Sequence, residues 1–160
     1  MELESVPIDL PASSNVIIGQ AHFIKTIVDL HETLAAASSG LRFGAAFCEA
    51  SGPRLVRRSG NDGELTEAAV DAALAIGAGH SFVVFLRDGF PLNVMTQLKA
   101  IPEVCRVICA TSNPLEVLVA ATPSGRGIVG VVDGSPPLGV ESDDDAAARL
   151  EFLRNIGYRA

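Results

Sequence analysis

The sequence predicts an α/β layered domain with a mixed β-sheet, in which βα units lead into an antiparallel meander and a C-terminal helix. Three observations carry this. Short apolar runs such as Ser81-Phe82-Val83-Val84-Phe85-Leu86 alternate with longer segments whose apolar residues recur at helical spacing. Turn signals separate them at Asn61-Asp62-Gly63, Asp88-Gly89, Asn113-Pro114 and Ser124-Gly125. Finally, hydrophobic residues reach 48% while aromatics are 5% and Trp is absent, so a core must be built from Ala, Val, Ile and Leu.

Val16-Ile17-Ile18 is the first β-rich run, and residues 22–37 read as a helix with Phe23, Ile24, Ile27, Leu30 and Leu34 on one face. Ser38-Ser39-Gly40 stops it. Residues 43–48 form a strand that turns at Ser51-Gly52-Pro53 and returns over 54–58 as a hairpin. Residues 64–76 are a second helix, with Leu65, Ala69, Ala72 and Ile76 inward. The run 81–86 has the continuous apolar character of a strand covered on both faces. Pro91 suits the first turn of a helix ending near Lys99. Three strands, 104–110, 115–121 and 127–132, then read as an antiparallel meander. Ser142 caps a last helix whose opening acids Asp143, Asp144 and Asp145 complement its dipole, and which runs to Ile156. With no internal repeat or linker, residues 1–160 are expected to be one domain.

The formal charge of −7 leaves no broad basic surface for a nucleic-acid polymer or an anionic membrane, although one bound nucleotide needs only a local cluster. Cys48, Cys105 and Cys109 lie in apolar runs and read as buried thiols in a reducing cytosol, with no zinc spacing among them. No apolar stretch reaches the length of a membrane span, and the acidic start is unlike a signal peptide, so a cytoplasmic protein is expected.

Chemistry-bearing residues gather at strand ends and turns. His80 follows Gly77-Ala78-Gly79 at the mouth of a buried strand, where a neutral imidazole can accept a proton or a phosphoryl group. Its plainer role would be to start a strand by bonding a carbonyl. Gly19 to Thr26 has the outer spacing of a phosphate loop, but Ile24 replaces its second glycine. What remains there is His22 and Lys25 near a helix start, as an anion contact or simply as surface residues. Glu49 ends a strand, at its mouth or paired to an arginine. Asn61, Asp62, Asp88, Asn93 and Asn113 occupy turns or helix starts, and turn-making accounts for them as well as ligand binding does. Arg126 lies between two glycines that would let a phosphate approach its guanidinium, and Asp133 ends the following strand.

Seven segments occur together and in order: Phe47-Cys48-Glu49-Ala50-Ser51-Gly52, Gly60-Asn61-Asp62, Ile76-Gly77-Ala78-Gly79-His80, Asp88-Gly89-Phe90-Pro91, Ala110-Thr111-Ser112-Asn113-Pro114, Gly125-Arg126-Gly127 and Val131-Val132-Asp133-Gly134. In these the chain resembles the adenosine-specific kinase family, from residue 6 to 158. The resemblance implies binding of adenosine or AMP rather than ADP or ATP, and a histidine able to carry phosphate, for which His80 is chosen over His22. Two functions follow, beside a third reading as a structural oligomer whose strand-end polar residues seal subunit contacts. In an enzyme, His80 attacks a phosphoryl donor, Arg126 and Lys25 stabilise the transferred group, and Asp88 or Asp133 orients the imidazole or holds Mg²⁺. In a sensor, adenosine or AMP binds without turnover. A homo-oligomer is expected, with a trimer as the candidate state.

Overall fold

A computed structural model describes residues 1–159. Its centre is β5 (Ser81–Arg87), the continuous apolar run, buried along all but its last residue. Burial on both faces requires neighbours on both edges and a layer above and below. β5 lies in a five-stranded sheet between β3 (Arg42–Cys48) and β2 (Asn15–Ala21), with β4 (Val56–Gly60) and β6 (Val104–Thr111) outermost.

The layered α/β architecture is the one expected, but each strand pairing is antiparallel rather than mixed. The reason is insertion. Helix α1 (Thr26–Ala37) joins β2 to β3, which run parallel to each other, yet β5 lies between them. Helix α3 (Pro91–Lys99) joins β5 to β6 in the same way, with β2 between. Two crossover units interleave, so the parallel strands each makes never touch.

The meander is likewise divided. β6 pairs with β2, whereas β7 (Leu115–Thr122) pairs with β8 (Gly125–Asp133) and with β1 (Glu2–Ile8) in a separate three-stranded sheet. β1 went unread because exposed Leu3 and Pro7 mask a short alternation that turns Val6 and Ile8 inward. Pro7 is tolerated because β1 is an edge.

Two apolar layers result. Leu30 and Leu34 of α1 and Val94 and Leu98 of α3 pack with Phe43, Phe47, Phe82 and Leu86 on one face of the large sheet. On the other face, Leu65, Ala69, Ala72 and Ile76 of α2 (Gly63–Ile76) meet Val83, Phe85, Val117 and Val119, closing the small sheet against the large one. Gly44 makes this possible: a Cβ there would stand 2.2 Å from the Leu65 carbonyl carbon and the Thr66 nitrogen. Asp62 caps α2 by accepting from the Leu65 N–H, and Gly77 ends it at φ 61°.

α1 begins four residues later than the periodicity suggests. The His22 N–H is held by the Glu103 carbonyl, which keeps the chain from coiling, and Phe23 and Ile24 stay exposed. α4 (Asp143–Asn155) carries the expected Ser142 cap but buries none of its residues. Cys105 is exposed and Cys109 half-buried, so only Cys48 is the buried thiol expected of all three. Among the described residues no helix is long and apolar enough to cross a membrane.

Candidate active site

The sheet has two ends, and the candidate residues divide between them. At one end β2 and β3 finish while β5, β4 and β6 begin. His80 sits there in the left-handed region, φ 63°. Its corner is tied on both sides: the His80 N–H donates to the Cys48 carbonyl at 2.8 Å, and its carbonyl accepts from the Ala21 N–H at 2.9 Å. The half-buried imidazole lies nearly parallel to the Phe47 ring, centroids 5.8 Å apart. Neither ring nitrogen bonds another described residue. A histidine so fixed, with both nitrogens uncommitted, is equipped for nucleophilic or proton-transfer chemistry.

Beside this corner a hollow of about 560 Å³ opens between the β3–β4 turn, the C-terminus of α2 and the β7–β8 hairpin. Gly79, Glu49, Arg54 and Arg126 line it, but the His80 ring does not. The imidazole rests on the α1/α3 side with Phe47, whereas Arg126 lies against the end of α2 on the opposite side. One imidazole and one guanidinium aimed at the same spot is therefore not what a single chain provides. Arg126 is also engaged already: Nε donates to the Ile76 carbonyl at 2.9 Å, Nη1 to Glu4 at 2.8 Å and Nη2 to the Ala75 carbonyl at 3.4 Å. It closes the orphan carbonyls of α2. Glu49 has its predicted arginine, with Arg57 at 2.7 Å, and the Leu55 N–H holds its carboxyl below the usual range before Arg57 adds to the effect.

Arg54 was missed. It sits at φ 54° after Ser51-Gly52-Pro53, and its guanidinium has no partner among the described residues. Sequence alone placed it in a returning strand, whereas it lies in the turn before β4 and lines the hollow.

On the α1 side of the same end, Lys25 donates to both Asp29 oxygens at 2.7 and 2.9 Å and stands 3.6 Å from Glu103. Glu103 is 5% exposed, and its Oε2 has no hydrogen-bond partner. Lys25 thus neutralises two carboxylates, which raise its pKa. His22 is exposed next to it. His31 of α1 bonds Ser59 through Nδ1 at 2.6 Å and is structural.

The opposite end holds the remaining candidates. Asn61 accepts from the Phe43 N–H and donates to the Leu41 carbonyl, both at 2.8 Å, fastening the β4–α2 turn to β3. Asp62 caps α2 and pairs with Arg42; the Leu65 N–H first, then Arg42, depress its pKa. Asn93 accepts from the Phe90 N–H at 2.9 Å at the start of α3. Asp133 accepts from Thr111 at 2.7 Å and from Asn113 at 3.0 Å. Asp88 is exposed, at φ 61°, with Arg42 4.0 Å away. The whole of β5, about 20 Å, stands between Asp88 and His80. Asp88 and Asp133 therefore do not orient the imidazole of their own chain. Among the described residues no three His, Cys, Asp or Glu side chains gather as a metal site.

A family model described as "Adenosine specific kinase" matches residues 6–159. The chain belongs to the adenosine specific kinase family. Within that family's extent lies every strand end described above except the start of β1. A crystal structure of the PH1918 protein from Pyrococcus horikoshii OT3 is 40% identical in sequence, with a TM-score of 0.95 over 99% of this chain and 98% of that one. No curated protein matches this adenosine specific kinase family chain.

Proposed function

We propose that this single-domain protein binds adenosine or AMP and transfers a phosphoryl group through a phosphohistidine at His80, working in the cytoplasm as a homo-oligomer. The observation that carries the proposal is the His80 corner, where backbone bonds on both sides fix an imidazole whose nitrogens are free. In the first step a ring nitrogen attacks the donor's phosphorus; a P–N bond forms and the P–O bond to the donor's leaving group breaks. In the second, an adenosine hydroxyl oxygen attacks the same phosphorus, the P–N bond breaks, and the hydroxyl proton leaves with the imidazole. Arg54 has no partner among the described residues, but it lines the hollow that the His80 ring does not enter, so a guanidinium meeting the charge on that group would have to come from another copy. The reading also rests on membership of a family described as adenosine-specific kinases.

Incubating the protein with candidate phosphoryl donors, then adenosine, and following phosphohistidine by ³¹P NMR tests it. Signal and AMP formation should appear with the parent chain and vanish in His80→Ala. Unchanged turnover in that variant removes His80 from the mechanism.

One observation favours the second reading, a non-catalytic binder. The cations assigned to phosphoryl transfer from sequence, Arg126 and Lys25, are both spent on the protein's own carbonyls and carboxylates. Calorimetry that finds AMP binding without turnover under any donor selects the binder; absence of adenosine and AMP binding defeats both.

A further inference from the structure

We infer that the nucleoside itself is taken up at the other end of the sheet, in a cleft between α4 and the start of α3, and that this cleft selects an uncharged purine nucleoside. The inference rests on the functional reading above and assigns it a place. The cleft has a volume of about 1180 Å³ and is predominantly apolar. Four of its large side chains stand in water: Phe90 at 66% exposure, Phe152 at 60%, Ile156 at 54% and Tyr158 at 46%. Aromatic faces left open on two sides of one cleft suit a flat heterocycle between them.

Unspent hydrogen-bonding groups surround this apolar surface. Asn93 uses its Oδ1 on the Phe90 N–H and leaves its amide donors uncommitted. The side chains of Asn15 and Ser112, also in the lining, have no partner among the described residues. A few fixed donors and acceptors around an apolar slot give a purine edge and a ribose their orientation.

Charge decides which form enters. No Lys, Arg or His lines the cleft, while the Asp88 carboxylate does. The nearest guanidinium, Arg42, stands outside the lining, 4.0 Å from Asp88 and paired with Asp62. Phosphates would therefore meet a like charge and no uncommitted cation, and adenosine is favoured there over AMP, ADP or ATP. The free guanidinium of Arg54 lies at the opposite end, where phosphate chemistry has been placed.

Tyr158 is the chain's one tyrosine and there is no tryptophan, so near-ultraviolet protein emission reports from this cleft. Adenosine titrated into the full chain should change that emission saturably, and AMP and ATP should bind more weakly. Phe90→Ala and Phe152→Ala should each weaken adenosine binding about tenfold, as loss of one stacking face does. Val129→Ala, an equally exposed apolar truncation on β8 outside the cleft, should leave it unchanged. Both phenylalanines are exposed, so the variants should fold, and circular dichroism verifies this. Adenosine binding seen by calorimetry with silent Tyr158 and unaffected phenylalanine variants overturns the cleft assignment and spares the functional reading. The same holds if the variants dissociate an assembly without touching adenosine affinity, which would make the cleft a contact between copies. If the parent chain binds neither adenosine nor AMP, both fall.

Discussion

A left-handed backbone is costly for a residue with a Cβ, and His80 bears that cost at the point where the imidazole is presented. The strain and the Phe47 contact can be separated by substitution. His80→Ala keeps the strain and loses the ring stacking; His80→Gly loses both. Denaturant unfolding should therefore find the glycine variant more stable than the alanine variant by about 1 kcal/mol, although neither can be phosphorylated. Equal stabilities would mean that the corner stores no strain. Asp62 makes the second prediction at this scale. Its folded-state pKa lies below that of the unfolded chain, so its contribution is complete above about pH 4 and is lost as pH falls through the lower folded value. Asp62→Asn should flatten the acid limb of a stability–pH curve, while parent and variant run parallel at neutral pH. A parallel acid limb refutes the coupling. Asp62 was legible from sequence as a turn and cap residue; its Arg42 partner, twenty residues earlier, was not, because only the β3–β4 hairpin brings the two together.

Elements with strong local signals were read closely. α3 starts at Pro91 and ends at Lys99 as expected, because the proline and the preceding Asp-Gly turn are decisive within a few residues. α2 shows the predicted inward face. β1 and the start of α1 were misread because pairing with β7 and the Glu103 carbonyl, both far away in sequence, override weak local preference. The most sensitive contact between elements is also silent in the sequence. At Gly44 a methyl group would strike the backbone of α2, which cannot step aside as a side chain could. Gly44→Ala should cost about 3 kcal/mol and lower the melting temperature by about 10 °C in calorimetry. A loss within the noise of the measurement would show that α2 can lift off β3.

Across the whole molecule, the set of site residues was readable but its partition was not. Strand-end placement could be inferred for His80, Glu49, Asp88, Asn113 and Asp133 alike; which end each strand presents depends on the order β4-β3-β5-β2-β6, and local pattern does not encode that order. The partition makes a prediction of its own. If His80 chemistry and the Phe90/Phe152 cleft belong to one reaction, His80→Ala and Phe152→Ala are each defective at a different end, and mixing them after a denaturation–refolding cycle should, at adenosine well below saturation, raise AMP formation above the mean of the two preparations alone. A mixture no more active than the mean of its two parts would separate the ends functionally.

β5 then behaves as a fixed ruler. A phosphorylated imidazole cannot stretch across a rigid span several times the length of the bond it must hand over, and a sheet buried on both faces does not fold up to bring its ends together. If the proposed phosphohistidine and the proposed nucleoside cleft serve one reaction, relay in trans is the remaining geometry. Specific activity should then fall on dilution below the concentration at which neighbouring copies part.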